Sequence, residues 1–203
     1  MIQTAVADET LPLHLRLNSK LRLSDEELFE LCRLNTDVRI ERTAQGDLEI
    51  MPPVGAEGSY RNSELIFALV GWAKRDGRGL VFDSSGGFIL PDGAKRSPDA
   101  AWVLRSRLEG LDPGTKKRFL PLCPDFVVEL RSPSDALGTL QAKMQEYLDN
   151  GARLGWLIDA DHRRVYVYRP GRSVEELEDP ETISAEPELP GFVLDPQTLW
   201  ASI

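Results

Sequence analysis

The sequence predicts a single α/β domain, a central mixed β-sheet flanked by helices, with a helix and a β-hairpin ahead of it. Three observations lead there. Two long segments, around 59–77 and 135–150, carry apolar residues at helical spacing. Short strand-like runs (GLVFD, SPDAAWVL, PDFVVELR, LGWLID, RVYVYR) lie between and after them. A chain of 203 residues is sized for one sizeable core rather than two.

Taken in order, Ser24 opens a capping-box pattern, S-D-E-E, with Glu27 three residues on and Leu28, Leu31 and Leu34 at helical spacing; a short helix is predicted. VRIER (38–42) and DLEIM (47–51) alternate around AQGD as a hairpin that Pro52 and Pro53 end. The first long helix runs from about Ser59 to Gly77. GLVFD (79–83) and GFIL (87–90) are strand-like on either side of SSGG, and PDG marks a turn. SPDAAWVL predicts a strand beginning near Asp99, and PDFVVELR a buried one. SPSD (132–135) is read as the cap of the second long helix, which stops at Gly151. LGWLID and RVYVYR pair around ADHR, GFVLD is a further strand, and PQTLWASI a short helix with Pro196 in its first turn. Residues 1–20 are expected to be loose, and the Pro-containing segment 173–189 to be an acidic excursion.

Composition narrows the function classes. No apolar stretch approaches the ~18–20 residues that span a bilayer, and the N-terminus lacks a basic region followed by an apolar one, so a soluble, cytoplasmic protein is expected. Cys32 and Cys123 are far apart, and His14 and His162 are isolated. Neither a disulfide framework nor tetrahedral zinc is suggested, so any metal is expected to be held by oxygen. No glycine-rich phosphate loop or Ser-His-Asp pattern is visible.

The net charge of −9 argues against phosphate binding, but the seven acids of 173–189 account for all but two of it. Bases gather at Lys74, Arg75 and Arg78, at Lys95 and Arg96, and at Lys116, Lys117 and Arg118; each group reads as a solvated face before it reads as a DNA contact. Weak non-specific DNA affinity is expected unless a homodimer combines the patches.

Among the acids, Glu129 stands out. In PDFVVELR the alternation of a strand puts Asp125, Val127, Glu129 and Arg131 on one face, with Glu129 among apolar neighbours. A carboxylate there is costly unless paired or bound to a cation. Asp99 opens the preceding strand, and pairing of the two strands would bring both carboxylates to one end of the sheet. Hard oxygen ligands of that kind suit Mg²⁺ or Mn²⁺. The plainer alternatives are a turn role for Asp99 after Pro98, an ion pair of Glu129 with Arg131, a snorkelling Lys143 and a solvent-facing Glu64. Trp156, Tyr166 and Tyr168 alternate on strands and read as core.

The succession R-x-E...G-D-L-E-I-M-P-P, G-x-E-x-x-x-R-N-x-E-L-I, S-P-D-x-A, P-D-F-V-V-E-L-R-S-P-S-D, K-M-x-E-Y-x-x-N-G-x-x-L-G-W-L-I-D and V-Y-V-Y-R-P resembles the Uma-two-type restriction endonuclease family over residues 20 to 200. The resemblance implies a restriction-endonuclease-like, PD-(D/E)XK fold and a Mg²⁺-dependent endonuclease hydrolysing DNA phosphodiesters. It carries Asp99 over as the metal-binding aspartate and Glu129 as the acid of the (D/E)XK element. Arg131 stands where the lysine belongs and, always protonated, cannot act as a base. Lys143, on the next helix, is the implied replacement. Glu64, and less so Glu57, is the implied first-helix acid. A catalytically inactive binding or interaction module on the same fold is the alternative.

Overall fold

Between Lys95 and Ala100 the chain leaves one β-sheet and enters another, and that step organises the molecule. The computed structural model describes residues 13–18 and 21–201. The first half comprises β1 (Leu13–Leu15), α1 (Asp25–Leu34), β2 (Arg39–Arg42), β3 (Leu48–Met51), α2 (Ala56–Asp76), β4 (Gly79–Asp83), β5 (Phe88–Ile89), β6 (Lys95–Arg96) and β7 (Ala100–Leu104). Then follow α3 (Arg105–Glu109), β8 (Phe126–Leu130), α4 (Leu137–Asp149), β9 (Leu154–Asp159), β10 (Arg164–Tyr168), β11 (Glu175–Glu178), β12 (Ile183–Ser184), β13 (Val193–Leu194) and α5 (Gln197–Trp200).

The smaller sheet runs β1-β3-β2-β6-β5 and the larger β11-β10-β9-β8-β7-β4. Only β8 and β9 are parallel, because α4 makes the crossover between them; the other pairs are antiparallel. One face of the larger sheet packs Trp102, Phe126, Val128 and Trp156 against α2 and the C-terminal segment. The opposite face packs Ala101, Val127 and Leu157 against Met144 and Tyr147 of α4. Both faces are covered, which is why β8 and β9 read as apolar runs rather than alternating ones. Gly155 leaves room for the Met144 methyl on the sheet, since a Cβ there would fall 2.4 Å from Met144 Cε.

Local signals place most elements. Ser24 and Glu27 form the capping box of α1. Gly77 ends α2 in the left-handed conformation, at φ 75°. Cys32 and Cys123 are free, and Trp156, Tyr166 and Tyr168 are buried.

Several expectations change. Helix α2 begins at Ala56, three residues before Ser59. The two segments flanking SSGG are strands as expected, and they lie in different sheets, β4 at the edge of the larger and β5 at the edge of the smaller. SPSD does not cap α4, whose N-cap is Ala136. Instead Asp135 Oδ2 accepts from the backbone N–H and hydroxyl of Ser132, at 2.9 and 2.7 Å, in a separate turn. Pro196 is the N-cap of α5.

The acidic segment is no excursion. Its Glu175–Glu178 stretch pairs with β10 as an edge strand, and Ile183, Ala185 and Leu189 are buried in the core. All of its acids but Glu188, which binds Arg169, are exposed, so charge obscured a half-buried pattern. At the N-terminus, β1 pairs with β3; the remainder of the stretch expected to be loose, 1–12 and 19–20, lies outside the described residues. Among the described residues no helix is long and apolar enough to cross a membrane.

Candidate functional site

Pairing of Ala100 with Val128 puts Asp99 opposite Glu129, one residue further along the antiparallel β7–β8 ladder. The backbone N–H of Leu130 donates to Asp99 Oδ2 at 2.8 Å, and Arg39 Nη1 donates to Asp99 Oδ1 at 3.1 Å. Asp99 is thus more than a turn residue after Pro98, being tied to both sheets. Glu129 is 2% exposed, on the face covered by α4. Its Oε1 accepts from Tyr147 Oη at 2.8 Å and lies 2.9 Å from Lys143 Nζ; its Oε2 accepts no hydrogen bond among the described residues.

Lys143 is therefore not a snorkelling lysine. Met144 anchors α4 on the sheet, and the positions around it, Lys143, Glu146 and Tyr147, turn toward the sheet junction. Lys143 Nζ spans Glu129 and Glu41, lying 3.1 Å from Glu41 Oε2. Arg131, the residue in the lysine position by spacing, points elsewhere. Its Nη1 binds Asp159 Oδ2 at 2.5 Å and its Nε donates to the Asp135 carbonyl at 3.1 Å. The expected alternative pairing of Glu129 with Arg131 is absent among the described residues.

Glu64 does not join this group. No hydrogen bond or ion pair links the half-buried Glu64 to Asp99, Glu129 or Lys143 among the described residues, and Glu57 bonds to Arg61 on its own helix at 3.1 Å. The third carboxylate is Glu41 of β2, 1% exposed. The N–H of Ser97 donates to its Oε1 at 2.9 Å, and Arg96 Nη1 to its Oε2 at 3.2 Å. The signal for Glu41 lay in the sequence, in the alternation of VRIER, where Glu41 follows Ile40 in a strand bounded by two arginines. Lys95 and Arg96, expected on a solvated face, are buried: Lys95 Nζ donates to the Ile40 carbonyl at 3.0 Å and to Ser97 Oγ at 2.8 Å, and Arg96 binds Glu41, Glu49 and Glu146. Buried bases need such partners.

The charges shape one another. Burial pushes the Glu129 carboxyl up, Lys143 pulls against it, and Asp99 and Glu41 add repulsion, leaving it at about 7. Burial also works against ionised Glu41, but Lys143, then Arg96 and Arg39, hold it well below the usual carboxylate range. Burial would lower Lys143, yet Glu129 and Glu41 raise it, so the amine stays protonated at neutral pH.

Among the described residues no three or more His, Cys, Asp or Glu side chains are grouped to hold a metal. Two carboxylates on adjacent strands still fit Mg²⁺, which takes one or two protein carboxylates and fills its remaining positions with water and substrate phosphate. The free Oε2 of Glu129 and the unused lone pairs of Asp99 are hard donors of the required kind.

The family model for Uma2, described as "Putative restriction endonuclease", matches residues 25–197. No curated protein matches the chain. Among solved structures, that of a putative nuclease belonging to DUF820 from Anabaena variabilis ATCC 29413 superposes with a TM-score of 0.72 at 21% identity. The match covers 88% of this chain and 97% of that one. The mixed α/β architecture is accordingly restriction-endonuclease-like.

Proposed function

The chain belongs to the Uma2 family of restriction-endonuclease-like proteins, and on that premise we propose that it is a Mg²⁺- or Mn²⁺-dependent endonuclease hydrolysing DNA phosphodiesters. The observation that carries this reading is Lys143, which reaches Glu129 from a different element beside Asp99 and so restores the arrangement that Arg131 breaks in sequence.

Asp99 and Glu129 are the residues that would hold the cation. When bound, it supplies Lewis acidity to the phosphoryl group and lowers the pKa of coordinated water. Glu129 must shed its proton to serve, and because burial raises its carboxyl in the metal-free site, binding of the cation would release a proton. Protonated, Lys143 is a donor and a positive charge rather than a base; it stabilises negative charge growing on the phosphoryl oxygens as water attacks phosphorus and the P–O bond to the leaving strand breaks. Glu41 keeps that ammonium charged and aimed, and Tyr147 fixes the rotamer of Glu129.

A second reading rests on the same contacts. Arg39 and Leu130 each bond one oxygen of Asp99, and Lys143 and Tyr147 hold one oxygen of Glu129, contacts that an idle binding module on this fold would keep without a cation. Incubating supercoiled, linear and single-stranded DNA with wild type and Glu129→Gln in Mg²⁺, Mn²⁺ or EDTA separates them. Cleavage that needs the cation and Glu129 supports the nuclease; no cleavage of any form by a folded wild type rules it out.

A further inference from the structure

A cavity of about 620 Å³ opens beside β4 and plays no part in the chemistry above. Its volume lies within the ~300–1,000 Å³ of small-ligand sites. Phe82 and Phe119 form apolar walls, and Phe29 braces Phe119 edge-on at 5.0 Å. Gly87 makes this wall possible, because a Cβ there would fall 2.2 Å from Phe119 Cδ1; only a glycine lets the ring lie on the chain. The cavity accounts for the SSGG segment, which strand pairing left without a role.

The rim is cationic. Arg105, Lys116 and Lys117 are exposed and form no ion pair among the described residues, while Arg118 is engaged by Glu26 at 2.6 Å. Asp112, the neighbouring acid, is turned to the backbone of Gly114 and Thr115. Glu109 is the one acid in the lining. In a chain of net charge −9, three exposed bases around an aromatic-walled hollow select a ligand with a flat apolar part and an anionic part.

Position selects further. Phe82 pairs with Ala101 and Ala101 with Val127, on the sheet face that carries Asp99 and Glu129 one row along. Strand spacing and rise put Phe82 roughly 12 Å from Glu129. Contacts also connect the two places: Lys95 Nζ lies 4.5 Å from the centre of the Phe119 ring and bonds to Ser97, whose N–H holds Glu41.

We propose that the cavity receives one unpaired nucleotide of a DNA strand, its base against Phe82 and Phe119 and its flanking phosphates on Arg105, Lys116 and Lys117. Aromatic walls accept any base face, and lysine and arginine take phosphate, so this is a device for holding a strand rather than for reading a sequence. The inference rests on the nuclease reading for its choice of DNA.

The test uses the full chain in EDTA, where no cleavage intervenes. A single-stranded oligonucleotide with one 2-aminopurine is compared with the same strand abasic at that position, by fluorescence and anisotropy. The expected results are a change in 2-aminopurine emission on binding and about tenfold weaker binding of the abasic strand. Lys116→Ser with Lys117→Ser should weaken binding and flatten its salt dependence. Ser85→Trp, a surface change at the cavity wall, should abolish the emission change with an unaltered melting temperature. Equal binding of the two strands, an emission change that survives Ser85→Trp, or equal occupancy by an acidic phenylalanine-containing peptide would overturn the proposal. Strand binding without Mg²⁺-dependent cleavage would leave this site standing and remove the nuclease reading; cleavage with equal binding of the abasic strand would do the reverse.

Discussion

Lys143 Nζ lies 2.9 Å from Glu129 Oε1 although fourteen positions and a change from strand to helix separate them in the chain. The lysine meets its acid by packing rather than by spacing, and it meets a second acid, Glu41, from the other sheet.

Removing that lysine leaves two buried carboxylates short of a partner. Lys143→Met is expected to cost about 3 kcal/mol in urea denaturation at pH 8, from the penalty of breaking a buried ion pair. The loss should shrink at pH 5, where a protonated Glu129 no longer needs the ammonium. A cost that is the same at both pH values would show that Glu129 contributes nothing to the lysine's anchorage and that Glu41 alone holds it.

The raised Glu129 pKa has a stability consequence with a definite sign. Unfolded glutamate titrates near ~4.3, so the folded state binds this proton more tightly than the unfolded state does. The stability it contributes is complete below the unfolded value and is lost as pH rises to about 7. Glu129→Gln cannot ionise, so its melting temperature should gain on wild type between pH 5 and about 7 and level off above that. A gap of constant size across that range would contradict the carboxyl's assignment.

Glu41 and Glu64 separate the observed site from the one anticipated on the first long helix. Glu64→Ala is expected to change cleavage less than twofold and stability by about 0.5–1 kcal/mol, since the half-buried Glu64 has no bond to the site. Glu41→Gln should lower cleavage at least ~100-fold, the scale of losing a positioned electrostatic group. Comparable losses in the two variants, measured as initial rates on one plasmid substrate, would return Glu64 to the site.

Arg131→Met tests the lysine's migration from the other side. Its contacts to Asp159 and the Asp135 carbonyl predict a stability cost of about 1–2 kcal/mol, the scale of a charged hydrogen bond. The cleavage rate, measured well below the melting temperature, should stay within twofold. A collapse of rate in a folded Arg131→Met would place the guanidinium in the reaction.

The elements legible in the sequence were those with strictly local causes. The capping box at Ser24, the left-handed glycine at Gly77 and the hairpin around AQGD each depend on a few adjacent residues. Glu129 is legible as well, because a carboxylate amid strand apolars is anomalous wherever the strand goes, and Asp99 is legible through the pairing of its strand with that of Glu129. The misreadings involve partners distant in the chain. Lys95 and Arg96 resemble a surface patch until Glu41 and Glu146 are packed against them. The acidic segment resembles a free loop until β10 takes its backbone.

Helix and strand periods, the mixed α/β class and the anomaly of Glu129 were determined by the sequence alone, since each reflects how a side chain alternates or caps along its own backbone. Tertiary structure decided that Lys143 Nζ lies within reach of Glu129, that Glu41 rather than Glu64 joins them, and that this charged group gathers where the chain steps from β6 to β7. Those choices depend on which charges share a low-dielectric junction between two sheets and a helix, and a buried charge takes whichever partner packing brings within about 3 Å.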